Sequence, residues 1–192
     1  MFNDRSSTLS LLRTRRSGRP RDLVEPGPNA DELKQILEIA MRTPDHGKLH
    51  PWRFVHVAKH RRDAFADLLH RAYRVDNPDP GRLEIEANER LARMAPELIV
   101  ALCSPTPGHK IPVWEQELSC GAAVMNLHLA AHALGYVAGL VTGWAAYSPM
   151  VLEAFGAPPE RLAGFIFLGT PAIALEERPR PEYDEVVSEW AP

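Results

Sequence analysis

Residues 42–54 read RTPDHGKLHPWRF, and several kinds of chemistry could use them. His46 and His50 stand four apart, the spacing that sets two metal ligands on one helix face, and Asp45 beside His46 has the makings of an acid/base pair. The surrounding residues count against both ideas. Pro44 and Pro51 bracket the histidines and place them on a loop, where a spacing of four no longer means one face. No further ligand stands at a recognisable spacing, since His56 falls in a strand-like run and His60 lies beyond it. Sequence neighbours such as Asp45 and His46 seldom present both side chains to one substrate, and no GxSxG nucleophile turn occurs. A metal centre and a hydrolytic pair are therefore not expected. A polar surface turn and a loop held against a cofactor remain.

Three further stretches could carry chemistry. RTRRSGRPR, residues 13–21, offers Arg15, Arg16, Arg19 and the Ser17 hydroxyl as charge-assisted donors to a phosphate. As 18 of the 22 basic residues are Arg, a solvated basic turn is an equal reading. GLVTG, residues 139–143, closes an apolar run with two glycines, which suits close approach by a backbone or a flat ligand. LGTP (168–171) followed by ERPRP (177–181) again places arginines, Arg178 and Arg180, beyond a strand end. Each of these could also be plain loop.

The elements that must position these residues follow from periodicity. Asn29 with Glu32 forms the pattern of a capping box, and Leu33, Ile36, Leu37, Ala40 and Met41 then recur at helical spacing until Pro44 stops them. A short helix over 6–16 is expected to turn Leu9, Leu11 and Leu12 inward. Helices are expected at 59–75, 82–94 and 148–156, and strands at 53–58, 97–103, 136–143 and 164–169. The longest element, 113–134, is apolar on nearly every face after its first turn. A helix of that kind wants burial all round, and part of it is expected to meet another subunit. The tail from 177 onward is too polar for a core element. Helices interleaved with four strands give an α-and-β fold with helices packed on a sheet.

Composition narrows the function classes. Hydrophobic residues at 45% and charged residues at 24% are those of an ordinary globular protein, and 192 residues suit one domain, 1–192, with a full core. A net charge of -3 argues against a polyanion-binding surface, so no nucleic acid partner is expected. No uncharged apolar run approaches about 18 residues, so no membrane partner is expected either. Cys103 and Cys120 belong to no CxxC pair and read as buried free thiols of a reducing, cytoplasmic compartment.

The order of the stretches says more than any one of them. RRS at 15–17, R-x-P-D-H at 42–46, P-W at 51–52, W-E-Q-E at 114–117, a strand closed by Gly143, LGTP at 168–171 and R-P at 178–181 together resemble the nitroreductase family of FMN flavoproteins, in its compact NAD(P)H nitroreductase subgroup. The resemblance runs from about Leu11 to Trp190. It implies an α+β nitroreductase-like fold with a central mixed sheet of about four strands, open to a strand from a partner chain and packed between helices. It also implies an intertwined homodimer with two FMN sites at the subunit interface. NADH or NADPH would pass electrons through FMN to a nitro compound, a quinone or another small acceptor in alternating half-reactions. The flavin would carry the chemistry, so no dedicated catalytic side chain is implied. A flavin-binding sensor or carrier, and a flavin-modifying or dehalogenating relative, are the alternatives.

Carried over by position, Arg15, Arg16 and Ser17 match the family's N-terminal flavin-binding segment, with Arg15 or Ser17 near flavin N1 and C2=O. Arg42 and His46 match contacts at the end of the second helix, with Asp45 and His46 turned toward the cofactor. Leu140, Val141, Thr142 and Gly143 match the stretch beside the isoalloxazine, and Arg178 or Arg180 the C-terminal phosphate contact. The chain departs from the family at Lys48-Leu49-His50-Pro51, where many members have Asn-x-Gln-Pro, and at 140–143, where the subgroup has Trp-Arg-Ser-Gly.

Overall fold

The computed structural model describes residues 2–191. Helix α1 (Thr8–Thr14) starts at Ser7, whose Oγ accepts from the Ser10 N–H at 3.0 Å. Only Leu11 of this helix is buried; Leu9 and Leu12 are more than half exposed, against the expectation that all three face inward. One turn of helix presents only one of these close-set positions to the sheet side. A two-residue strand β1 (Leu23–Val24) follows, then α2 (Ala30–Ala40). Asn29 Oδ1 accepts from the N–H groups of Asp31 and Glu32, and Asn29 N–H donates to Glu32 Oε2 at 2.9 Å, the capping box expected there. Strand β2 (Trp52–His56), α3 (Arg62–Asp76) and α4 (Arg82–Arg93) lead to β3 (Glu97–Cys103). The long helix α5 (Val113–Leu134) ends where Gly135 turns left-handed, with φ of 100°. Strand β4 (Val137–Val141), α6 (Pro149–Phe155), β5 (Arg161–Pro171) and a single exposed turn α7 (Tyr183–Val186) complete the chain.

Every strand pairing is antiparallel, where a mixed sheet was expected, and β1 supplies a fifth strand from this chain itself. The physical reason lies in β5. It runs between β3 and β4 and pairs with both in the opposite direction, so the crossover through α5 never joins neighbours. Its length also lets Pro171 and Thr170 pair with Leu23 and Val24.

The sheet is buried on both faces, and pleat alternation divides its side chains cleanly. Leu98, Val100, Leu102, Phe165 and Phe167 pack toward α3 and α6. Ile99, Ala101, Ile166 and Leu168 pack toward α2 and α5, meeting Ile36, Val124 and Leu127. Each fully buried side chain of this size contributes about 1.5–3 kcal/mol. Helix α5 lies against one sheet face yet leaves Trp114, Leu118, Gly121 and Met125 exposed, at spacings of four, three and four. That is one apolar stripe down one side of the helix. Among the described residues, no helix is long and apolar enough to cross a membrane.

Candidate functional site

After α1 the chain crosses the edge of β4. The Gly18 N–H donates to the Ala138 carbonyl at 3.3 Å, and the Ala138 N–H donates to His132 Nε2 at 3.1 Å. Both outward groups of Ala138 are thereby satisfied, one by the incoming segment and one by α5. The approach is so close that a Cβ on Gly139 would stand 2.5 Å from the Gly18 carbonyl oxygen. Glycine is needed there for contact alone.

This docking fixes the arginines before it. Arg15 is half-buried, and its Nη1 donates to Ser17 Oγ at 3.1 Å. Arg16 is buried; its Nε donates to the Glu176 carbonyl at 2.8 Å and pairs with the Glu177 carboxylate at 3.4 Å. Arg180 pairs with the same Glu177 at 3.4 Å, and Arg19 pairs with Glu176 at 2.9 Å. The guanidinium of Arg15 is lowered from its ordinary value by burial first, and then by the positive charges of Arg180, Arg16 and Arg178. Four arginines from the two ends of the chain therefore crowd one place. Glu177, shared by Arg16 and Arg180, offsets part of that positive charge. Beside them runs a cleft of about 80 Å³, lined by Arg16, Arg19 and Arg178 and by the carboxylates of Asp22, Glu176 and Glu177, among others. Small-molecule sites usually enclose about 300–1,000 Å³, so this cleft of one chain is too small for a whole ligand of that kind.

Beneath Arg15 lie His128 and His132 of α5, which are buried, with ring centroids 6.4 Å apart. Burial first, and Arg15 after it, push His128 down to about 4; burial, His128 and Arg15 push His132 down to about 3. Both are neutral at pH 7. His132 Nε2 accepts from Ala138, so its proton sits on Nδ1. That Nδ1–H and His128 Nε2 have no hydrogen-bond partner among the described residues. The sequence carried one signal for them, two histidines four apart inside an apolar helix, and it passed unread.

Leu140 to Gly143 leave β4 just past the Gly18 contact. Leu140, Thr142 and Gly143 are exposed, Val141 is half-buried, and Gly143 has φ of 59°, in the left-handed region that favours glycine. Trp144 then locks the strand end to α3, its Nε1–H donating to Asp76 Oδ2 at 2.9 Å and its ring meeting Tyr73 edge-on at 4.8 Å. A backbone held open on one side and pinned on the other is a platform for something flat.

The 42–50 loop sits elsewhere. Asn126 Nδ2 donates to the Arg42 carbonyl and to Thr43 Oγ1, Ser119 Oγ donates to the Pro44 carbonyl, and His46 Nδ1 meets Glu115 Oε2 at 2.8 Å. The loop thus runs back along α5, from Asn126 toward its start. Glu115 is thirteen residues before His128, or about 20 Å along the helix. Asn126 and His128 differ by roughly 160° around it. Within one chain, Arg42 and His46 do not join Arg15.

Asp45 was expected to turn toward a cofactor, and it turns into its own loop instead. Its carboxylate accepts from the N–H groups of Leu49 and His50 at 3.2 and 2.8 Å, tying off a loop in which Gly47, Lys48 and His50 all have positive φ. Those bent backbones need a local acceptor, and the nearest carboxylate is taken for it. His46 remains exposed and available beyond its Glu115 contact. Among the described residues no group of three or more His, Cys, Asp or Glu side chains could hold a metal ion.

Residues 12–170 match the family model described as "Nitroreductase family". The chain is 36% identical over 166 residues to the Escherichia coli (strain K12) protein named "Putative NAD(P)H nitroreductase YdjA", covering 86% of this chain and 88% of that one. A nitroreductase-like family protein from Bacillus cereus superposes with a TM-score of 0.79 at 22% identity, with 96% of each chain covered. A variant of the FMN- and NADPH-dependent nitroreductase NfnB, from sphigopyxis sp. strain HMH, superposes with a TM-score of 0.73 at 20% identity, covering 96% of this chain and 99% of that one. At these identities the two solved structures speak for the fold.

Proposed function

The chain belongs to the nitroreductase family, and from that we propose that it is an FMN-dependent oxidoreductase taking electrons from NADH or NADPH and delivering them to a small acceptor of the nitroaromatic or quinone kind. The observation that carries this reading is the convergence of Arg15, Arg16, Arg178 and Arg180 beside a glycine-bounded strand end. Arg178 and Arg180 would hold the phosphate. Arg16, buried and bonded to Glu176 and Glu177, holds the C-terminal segment in place for them. Arg15 and the Ser17 hydroxyl would serve the electron-rich edge of the ring, where a cation and a donor favour the more negative form. Leu140 to Gly143 would give the ring its platform. Bound there, FMN supplies the two-electron chemistry between nicotinamide and acceptor. His128 and His132, uncharged under Arg15, keep the floor of the site from adding further positive charge.

Arg42 and His46 complete the site from a second copy. The stripe of Trp114, Leu118, Gly121 and Met125 continues through half-buried Leu129, and its middle falls near Gly121 and Ala122. Small residues at that point let two α5 helices cross closely. A twofold axis there sets residue 115 of one chain opposite residue 128 of the other, because the two numbers are equidistant from 121.5. The His46–Glu115 end of one protomer then meets the Arg15–His128 end of its partner, and the dimer has two equivalent sites.

The purified protein is expected to be yellow and to release FMN on denaturation. Anaerobic titration with NADH and with NADPH is expected to bleach it, and an acceptor to restore the colour, with ping-pong kinetics. A colourless protein that takes up no FMN refutes the reading. A yellow one that neither nicotinamide bleaches is a carrier and not an enzyme.

A further inference from the structure

Cys103 and Cys120 are both unbonded and belong to none of the contacts above. Cys103 is the last residue of β3, opposite Arg161 of β5 in the sheet register, and Cys120 stands in the second turn of α5. The Cys120 thiol donates to the carbonyl oxygen of Leu102, the residue just before Cys103, at 3.8 Å, and pleat alternation turns Cys103 to the sheet face opposite Leu102, the face that α5 covers. Both side chains are buried from bulk water, yet both line a cavity of about 590 Å³. Its wall also includes Tyr147, Pro149 and Arg161, all exposed and all off the α5 stripe, so it opens to the surface.

We propose that Cys103 and Cys120 are a reversible dithiol–disulfide centre, oxidised by hydrogen peroxide that enters through this cavity. The two sulfurs are chemically unequal. The neighbouring Cys120 sulfur first, and Arg161 with it, hold Cys103 below its ordinary value, while burial and Glu117 oppose this. Cys120 is pushed well up by the neighbouring Cys103 and by burial. Cys103 is thus the nucleophile and Cys120 keeps its proton until the second step. The Cys103 thiolate attacks one peroxide oxygen and the O–O bond breaks, leaving a sulfenic acid and hydroxide, which takes up the proton Cys103 had lost. The Cys120 sulfur then attacks Cys103 Sγ, and its proton leaves with the sulfenic hydroxyl as water. Two thiols and one peroxide become one disulfide and two waters, with two electrons moving from sulfur to oxygen.

The bond would tie α5 to the end of β3 directly beside Ser119, whose Oγ donates to the Pro44 carbonyl at 2.6 Å. Oxidation therefore acts on the anchor of the 42–50 loop. That consequence rests on the flavin reading; formation of the bond does not.

The experiment uses the reduced full-length protein with an equivalent of hydrogen peroxide, read by intact mass and peptide mapping. A loss of two hydrogens and a peptide joining Cys103 to Cys120, reversed by dithiothreitol, is expected. Cys120→Ser should instead accumulate a sulfenic acid trapped by dimedone, and Cys103→Ser should form neither product. As a test free of variants, phenylarsine oxide should bridge the two thiols of the unaltered protein as a single adduct per chain. Thiols that stay unmodified under excess peroxide, a sulfinic acid on Cys103 without any cross-link, or the lack of an arsenical adduct would each overturn the proposal. None of these readouts needs FMN, so they fail or hold separately from the flavin reading. In the FMN-loaded protein, oxidation should change the rate of FMN release several-fold; an unchanged rate in fully cross-linked protein would remove the link to the loop.

Discussion

Acid should weaken this protein through His128 and His132 at a pH where most proteins are near their most stable. An exposed imidazole in the unfolded chain titrates near about 6.5. In the fold the two are held down at about 4 and about 3, mainly by burial, with Arg15 adding to it. As pH falls below about 6.5 the unfolded chain therefore takes up protons that the folded chain refuses, so stability is present above that pH and is lost on the way toward 4. At pH 5 the difference comes to about 2 kcal/mol for each histidine, or about 4 kcal/mol for the pair. That is a large part of a typical domain stability of about 5–15 kcal/mol. The assay is urea unfolding at pH 8 and pH 5, followed by circular dichroism at fixed chain concentration, since the stability of any oligomer would depend on concentration. His128→Gln, whatever it does to stability at pH 8, should lose about half of the pH-dependent part. If the parent unfolds alike at both pH values, or if the variant keeps the whole difference, the two imidazoles are not held neutral as described.

Three other outcomes follow from the same geometry. Arg15→Ala and Arg178→Ala should each weaken FMN binding by about 1–3 kcal/mol, the range of a charge-assisted contact, in a fluorescence titration of the apoprotein, with a smaller effect at high salt. Leu118→Glu places a charge in the middle of the α5 stripe, and light scattering at micromolar concentration should then report a monomer that no longer retains FMN. Gly139→Ala drives a methyl group to 2.5 Å from the Gly18 carbonyl. Overpacking of this sort costs about 1–3 kcal/mol, and both Tm and FMN affinity should fall, because the segment displaced is the one carrying Arg15 and Ser17.

Much of the fold was legible because its signals are local. Helix α5 has no proline, its apolar run carries through Gly121 and Asn126 without a break, and Gly135 ends it, so its bounds are legible as 113–134. The Asn29–Glu32 cap and the run ELIVALC were equally plain. Strand β1 was not, since two residues pair with Thr170 and Pro171 only because β5 outruns its other neighbours, and nothing near Leu23 says so. Direction in the sheet was lost for a related reason. An apolar run reveals that both faces are covered and is silent about its neighbours' orientation.

At the site, the arginine clusters were visible as charge in a given order, and the structure brings both ends together. Glu176 and Glu177, which tie those ends, looked like ordinary surface charge. Asp45 was misread because the need it meets, two N–H groups in a loop of positive φ, exists only once the loop is folded.

If each flavin site draws on two chains, damaged chains should complement one another. Arg15→Ala and His46→Ala homodimers have both sites damaged and should hold FMN poorly. A heterodimer of the two, purified through different tags, should contain one undamaged site, with Arg15 and His46 contributed by opposite chains, and one doubly damaged site. FMN bound at parental affinity by half of the heterodimer's sites is the predicted result. A heterodimer that binds no better than either homodimer would mean that Arg15 and His46 do not meet across the interface.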